Sequence, residues 1–67
     1  MHLVVNGERR SFDLASSTVE SLLAALGMPV ERVAVEVNGS IVPKRERADR
    51  NLVDGDVLEI VTLVGGG

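Results

Sequence analysis

Val19, Leu22, Leu23 and Leu26 stand at i, i+3, i+4 and i+7, and this single apolar stripe decides most of what the chain can become. A stripe of that width cannot face water, so the rest of the 67 residues must supply an apolar surface for it. Ser17-Thr18-Val19-Glu20 reads as a capping box that opens the helix, with Ser17 bonding the N3 amide and Glu20 reaching back. Gly27 falls where a C′ glycine stops a helix, and Pro29 prevents its resumption. The remainder of the chain alternates with period two, so the helix must lie on a sheet.

Leu3 and Val5 alternate with His2, Val4 and Asn6, and Asn6-Gly7 then marks a type I′ hairpin turn, where both positions need positive φ. The run Arg9 to Leu14 alternates again, with Arg10, Phe12 and Leu14 on one side. After the helix, Val33, Val35 and Val37 alternate with Ala34, Glu36 and Asn38. Asn38-Gly39 repeats the hairpin signal, Ile41-Val42 makes a short strand, and Pro43 ends it. Lys44 to Asn51 is charged and irregular, Asp54-Gly55-Asp56 is a turn, and Val57 to Val64 is the last strand. The expected class is α+β, a mixed sheet with one helix packed on one face, in the order β-β-α-β-β-β. Leu3, Val5, Phe12, Leu14, Val19, Leu22, Leu23, Leu26, Val35, Val37, Leu52, Leu58 and Ile60 are the expected core. No repeat or linker interrupts residues 1–67, which read as a single domain with a flexible glycine tail over 64–67. A chain this short buries only about 60% of the surface its unfolded form exposes.

Composition removes several functions. Without cysteine there are no disulfides and no thiolate ligands. A formal charge of −3 is the wrong sign for nucleic acid. Phe12 is the lone aromatic, so there are no stacking platforms. No apolar run approaches the ~20 residues that span a bilayer. Met1-His2-Leu3-Val4-Val5 has neither a basic n-region nor a cleavage site, and the expected location is the cytoplasm.

The chain also lacks the parts of a free-standing enzyme. His2 is the only histidine and reads as a solvent-facing strand residue. No cluster has metal-ligand spacing, so neither a metal nor a bound cofactor is expected. Glu36 and Glu59 read as solvated strand carboxylates, and turn chemistry accounts for Asp54 and Asp56. Lys44-Arg45-Glu46-Arg47-Ala48-Asp49-Arg50 reads as a solvated loop with local ion pairs or as a docking surface for an acidic partner.

Gly65-Gly66-Gly67 is different because of its place. It follows the strand expected to be central, and four residues extend roughly 13 Å at ~3.3 Å each. Glycines without Cβ atoms can thread a narrow tunnel. A carboxylate at the end, with a reference pKa of about 3.3–3.7, is ionised at neutral pH and is a substrate for activation. Period two puts Val57, Val61 and Leu63 on the same solvent face as Glu59, and Val61 and Leu63 are read as partner-binding residues.

Val37-Asn38-Gly39-Ser40-Ile41-Val42-Pro43, Leu52 with Asp54-Gly55-Asp56, and Val57 through Gly67 together resemble the ThiS family of sulfur carrier proteins of thiamin thiazole biosynthesis. The resemblance covers essentially the whole chain. It implies a ubiquitin-like β-grasp fold and a non-enzymatic protein co-substrate. A ThiF-like, E1-like enzyme would use ATP to adenylate the Gly67 carboxylate. Sulfur relayed from a cysteine desulfurase would displace AMP to give a thiocarboxylate, and a ThiG-like thiazole synthase would take up that sulfur. Gly66 and Gly67 carry the family motif. The small subunit of molybdopterin synthase, another carrier of this fold, also ends in Gly-Gly but favours a proline-containing, aromatic approach. Ile60 to Val64 has neither. Another ubiquitin-like modifier and a plain binding module with an incidental glycine end are the remaining readings.

Overall fold

The computed structural model describes residues 1–63. Strands β1 (His2–Val5), β2 (Glu8–Ser11), β3 (Val33–Val37), β4 (Ser40–Ile41) and β5 (Val57–Thr62) form one five-stranded sheet in the order β2-β1-β5-β3-β4. β1 and β5 run parallel; the other neighbours are antiparallel. Helix α1 (Val19–Leu26) lies on one face, and short 3₁₀ turns occupy Val30–Arg32 and Lys44–Glu46.

The two faces follow from the alternation. Leu3 and Val5, Val33, Val35 and Val37, and Leu58 and Ile60 point toward α1 and meet Val19, Leu22 and Leu23, all buried. Leu52 and Val42 close the ends of this core. Burying one such side chain contributes about 1.5–3 kcal/mol. The β5 register agrees with its pattern, since Leu58 and Ile60 are buried while Glu59 is exposed.

Four details differ from the sequence expectation. First, the helix starts one residue later. Thr18, not Ser17, is the N-cap, and its Oγ1 accepts the Ser21 N–H at 3.1 Å. Thr18 is held extended by its bridge to Asn51, and Leu52 N–H bonds the Ser17 carbonyl at 2.6 Å, so the backbone cannot turn before Val19. The reaching-back partner shifts too: Ser21 Oγ accepts the Ser16 N–H. Second, β2 is exposed throughout, and Phe12 and Leu14 pack half-buried beyond its end. Third, β4 is Ser40–Ile41, while Val42 turns inward and keeps one bond to the Val35 carbonyl at 2.9 Å. Fourth, the strand β5 ends at Thr62 rather than Val64, which lies outside the described residues. At the other end of the helix, Gly27 sits at φ 67° and completes a Schellman cap, with Gly27 N–H on Ala24 and Met28 N–H on Leu23.

The two hairpin asparagines do more than tolerate φ of 50° and 51°. Asn6 uses both ends of its side-chain amide on one residue of β5: Nδ2 donates to the Ile60 carbonyl, and Oδ1 accepts the Ile60 N–H at 2.7 Å. Asn38 holds the start of the same strand. Its Oδ1 accepts the Val57 N–H at 3.0 Å, and its own N–H donates to the Val57 carbonyl at 2.7 Å.

Asn6→Gly keeps the left-handed backbone and deletes both bonds to Ile60. A loss of about 1–3 kcal/mol in chemical denaturation is expected, from two net hydrogen bonds at ~0.5–1.5 kcal/mol each. A stability unchanged within error would show that the amide does not hold β5.

Candidate functional site

β5 places two different surfaces back to back. Its even-numbered residues Leu58 and Ile60 are core, so Val57, Glu59 and Val61 stand on the face away from α1. The register fixes their neighbours: Val61 lies opposite Ala34, Glu59 opposite Glu36, and Val57 opposite Val4. Glu36 in turn pairs with Ile41. The result is an apolar surface of Val4, Val57, Val61 and Ile41 around two carboxylates, with Val61 57% and Ile41 73% exposed. Like charges directly opposite each other destabilise a sheet. Among the described residues neither Glu36 nor Glu59 forms an ion pair with Lys or Arg.

Leu63 follows β5 and is 56% exposed. Its N–H donates to the Arg32 carbonyl at 2.6 Å, which ties the end of β5 to the turn before β3. The structure therefore leaves Val61 and Leu63 both open to solvent at one end of the central strand. Gly65, Gly66 and Gly67, and the tail 64–67 as a whole, lie outside the described residues. Ile41 was not singled out in the sequence. Its signal was the two-residue Asn38-Gly39 turn, which pairs Val37 with Ser40 and so Ile41 with outward-facing Glu36.

The remaining candidates settle into structural roles. His2 is exposed, and its backbone N–H bonds Asp54 Oδ1 at 2.8 Å. Asp56 is more than a turn residue: it is buried, with Oδ2 accepting the Val53 N–H and Oδ1 accepting from Asn38 Nδ2 at 3.0 Å. A shallow depression of about 290 Å³ beside His2, Arg9 and Asp54 holds no cluster of metal-ligating side chains, and none occurs among the described residues. No helix among those residues is long and apolar enough to cross a membrane.

The charged segment 44–50 is not uniformly solvated. Lys44, Arg45 and Arg50 are exposed, but Arg47 is buried. Backbone carbonyls of Arg47 and Arg50 accept the first free amides of α1, Glu20 N–H at 3.1 Å and Val19 N–H at 3.0 Å. Lys44 pairs with Glu31 at the surface. The Lys44 hydrogen bond and charge hold the Glu31 carboxyl below its ordinary pKa, with Arg47 adding a smaller pull.

One helix against a mixed sheet ordered β2-β1-β5-β3-β4, with a parallel central pair, defines the β-grasp class. The family model described as "ThiS family" matches residues 3–67, and the chain belongs to that family. The crystal structure of a thiamine biosynthesis protein (ThiS) from Geobacter metallireducens is similar over 100% of both chains, with a TM-score of 0.86 and 38% identity. The sulfur carrier protein ThiS of Thermus thermophilus is 40% identical over 63 residues, 94% of this chain and 95% of that one. A thiazole synthase of Paramagnetospirillum magneticum is 55% identical over all 67 residues. The chain spans only about a fifth of the length of the thiazole synthases it matches, 20% in each case.

Because Glu31 has its pKa lowered by folding, its contribution to stability is present above the unfolded value and is lost as pH falls through the lower folded value. An NMR titration of the Glu31 side chain is expected to give a midpoint below the ordinary glutamate range. Lys44→Met should return it to that range. An ordinary midpoint in both proteins would show that the surface pair does not persist in solution.

Proposed function

We propose that the chain is a sulfur carrier for thiazole formation in thiamin biosynthesis and is itself not an enzyme. The observation that carries this reading is the match to a sulfur carrier protein along 94% of this chain and 95% of that relative. In this reading the working group is the carboxylate of Gly67. A carboxylate is a poor electrophile. A ThiF-like, E1-like enzyme makes it reactive: a carboxylate oxygen attacks the α-phosphate of ATP, pyrophosphate leaves, and an acyl adenylate forms. A persulfide sulfur relayed from a cysteine desulfurase attacks the carbonyl carbon and displaces AMP. A thiol reductant then cleaves the resulting acyl disulfide, becoming oxidised to a disulfide as the thiocarboxylate is released. A ThiG-like thiazole synthase then accepts the sulfur from that nucleophile. ATP belongs to the activating partner, so the carrier needs no bound cofactor. The thiazole synthases whose sequences include a segment like this one support the choice of acceptor.

The carrier meets its partners through the outward face of β5 in this reading, with Val61 and Leu63 as contacts and the glycines Gly65 and Gly66 as the thread that reaches the active site. Exposed apolar side chains are common on any protein. Here they surround the root of the segment that must be delivered, which favours docking. The reactions described take place in the cytoplasm.

Two experiments test the reading, both using ATP–pyrophosphate exchange by the adenylating enzyme. One residue added after Gly67 displaces the carboxylate by roughly 3.3–3.6 Å. Since a misplacement of about 1 Å costs about a hundredfold in rate, exchange should be abolished by the extension and by deletion of Gly67. Equal rates for wild-type, extended and shortened carriers of equal thermal stability would remove Gly67 as the reactive group. Val61→Glu should leave the melting temperature nearly unchanged, because Val61 is 57% exposed, and weaken binding to the adenylating enzyme. Unchanged affinity in a calorimetric titration would take Val61 out of the docking face.

A further inference from the structure

Arg47 is a buried cation whose contacts in the structure are backbone carbonyls. It keeps 7% of its surface exposed. Nη1 donates to the Val30 carbonyl at 2.8 Å, Nη2 donates to the Val33 carbonyl at 2.6 Å, and buried Nε has no hydrogen-bond partner among the described residues. Removing a guanidinium from water is unfavourable, and an apolar side chain of similar volume often fills such a space at no loss of stability. What an apolar side chain cannot do is grip two carbonyls with one rigid fork.

Those two carbonyls bracket the turn Val30–Arg32, which has no side-chain cap of its own. Arg32, inside the bracket, is the residue whose carbonyl accepts the Leu63 N–H at 2.6 Å. β3 begins only at Val33, opposite Thr62, so beyond that pair this turn is what β5 is bonded to. Guanidinium, turn and Leu63 amide thus form one continuous series of contacts. The Lys44–Glu31 pair joins the same two segments at the surface, where salt screens it. The buried fork is not screened in that way.

We propose that Arg47 is a positioning residue: by clasping the Val30–Arg32 turn it fixes the point at which the chain leaves β5, and so the aim of the group carried beyond it. The consequence for sulfur transfer rests on the carrier reading; the clasp itself does not.

Native-state hydrogen exchange followed by NMR tests the clasp without any partner. In Arg47→Met the Leu63 amide should exchange faster by about tenfold or more, the scale expected when charge-assisted bonds are lost. The Val4 amide, bonded to the Asp56 carbonyl at 3.0 Å on the other side of the sheet, reports the rest of the fold and should not accelerate to the same degree. Arg47→Lys keeps the charge but not the fork, and should fall between wild type and Arg47→Met. If Arg47→Met does not fold, the lysine variant decides alone by a selective acceleration at Leu63. In pyrophosphate exchange with the adenylating enzyme, both variants should lower kcat, Arg47→Met by about tenfold or more, with KM within about threefold of wild type, because aim is lost before docking. Equal acceleration at Leu63 and Val4 would make Arg47 a general stabiliser and overturn the proposal. So would an unchanged kcat beside a loosened Leu63. If wild type itself gave no exchange, the carrier reading would fail, and the two amides would still decide the clasp.

Discussion

β5 lies between two strands that are both distant from it in sequence, and the structure depends on how it is held there. A late strand inserted between β1 and β3 must close long loops before it gains any contact. Asn6 and Asn38 solve this at the two flanking hairpins. Each occupies a turn position that a positive φ reserves for few residue types, and each turns its amide onto β5, Asn6 at Ile60 and Asn38 at Val57. The same residues that reverse the outer strands therefore set the register of the central one. Asp56, buried against Asn38 Nδ2, adds a third tie just before β5 begins.

Once β5 is fixed, the two faces of the sheet are fixed with it, because a slip of one residue would exchange Leu58 and Ile60 for Val57, Glu59 and Val61. The helix side gathers the aliphatic core. The other side is left with exposed valines and isoleucine around Glu36 and Glu59, two carboxylates in direct cross-strand register. Neither the exposed apolar groups nor the opposed charges help this chain fold. Such a face is a poor choice for a protein that only has to be stable, and it is continuous with the end of β5.

Much of this was legible in the residues, and the failures have physical causes. The helix, the five strands, both hairpin turns and the inward register of β5 follow from periodicity and turn chemistry, which are local. The class of fold followed from the helix stripe needing a sheet. The N-cap moved from Ser17 to Thr18 because a long-range bridge to Asn51 holds the backbone extended, which no local pattern records. Val42, outside the expected core, is buried while Ile41 faces solvent because the hairpin register, not the apolar pair itself, chooses the face. Val33 is buried although the expected core stopped at Val35 and Val37, since β5 extends far enough to pair it with Thr62. Arg47 was hidden among exposed charges, and only tertiary packing distinguishes it from Arg45 or Arg50. Val57 and Val61 could be placed on the outer face from alternation alone, whereas the position of Ile41 beside Glu36, and of Val4 beside Val57, needed the pairing.

The two ends of β5 are treated differently, and that asymmetry fits a strand used as a mount. Its beginning is sealed: Val57 is bonded on both its N–H and carbonyl to Asn38, and Asp56 is buried beneath. At its end, among the described residues, the Leu63 N–H donates to the Arg32 carbonyl, in a turn whose flanking carbonyls accept from the Arg47 guanidinium. A fold optimised for stability alone would close that end with another strand or an apolar side chain. The polar fork and the Arg32 carbonyl instead tie Leu63 to the central strand of the sheet. Reach and aim make opposite demands, since a group must extend beyond the fold to enter another protein and must start from a fixed origin to arrive in line. A glycine segment supplies the first because it has no Cβ atoms. The second has to come from what stands behind it, which under the proposed clasp is β5, Arg32 and the carbonyls gripped by Arg47.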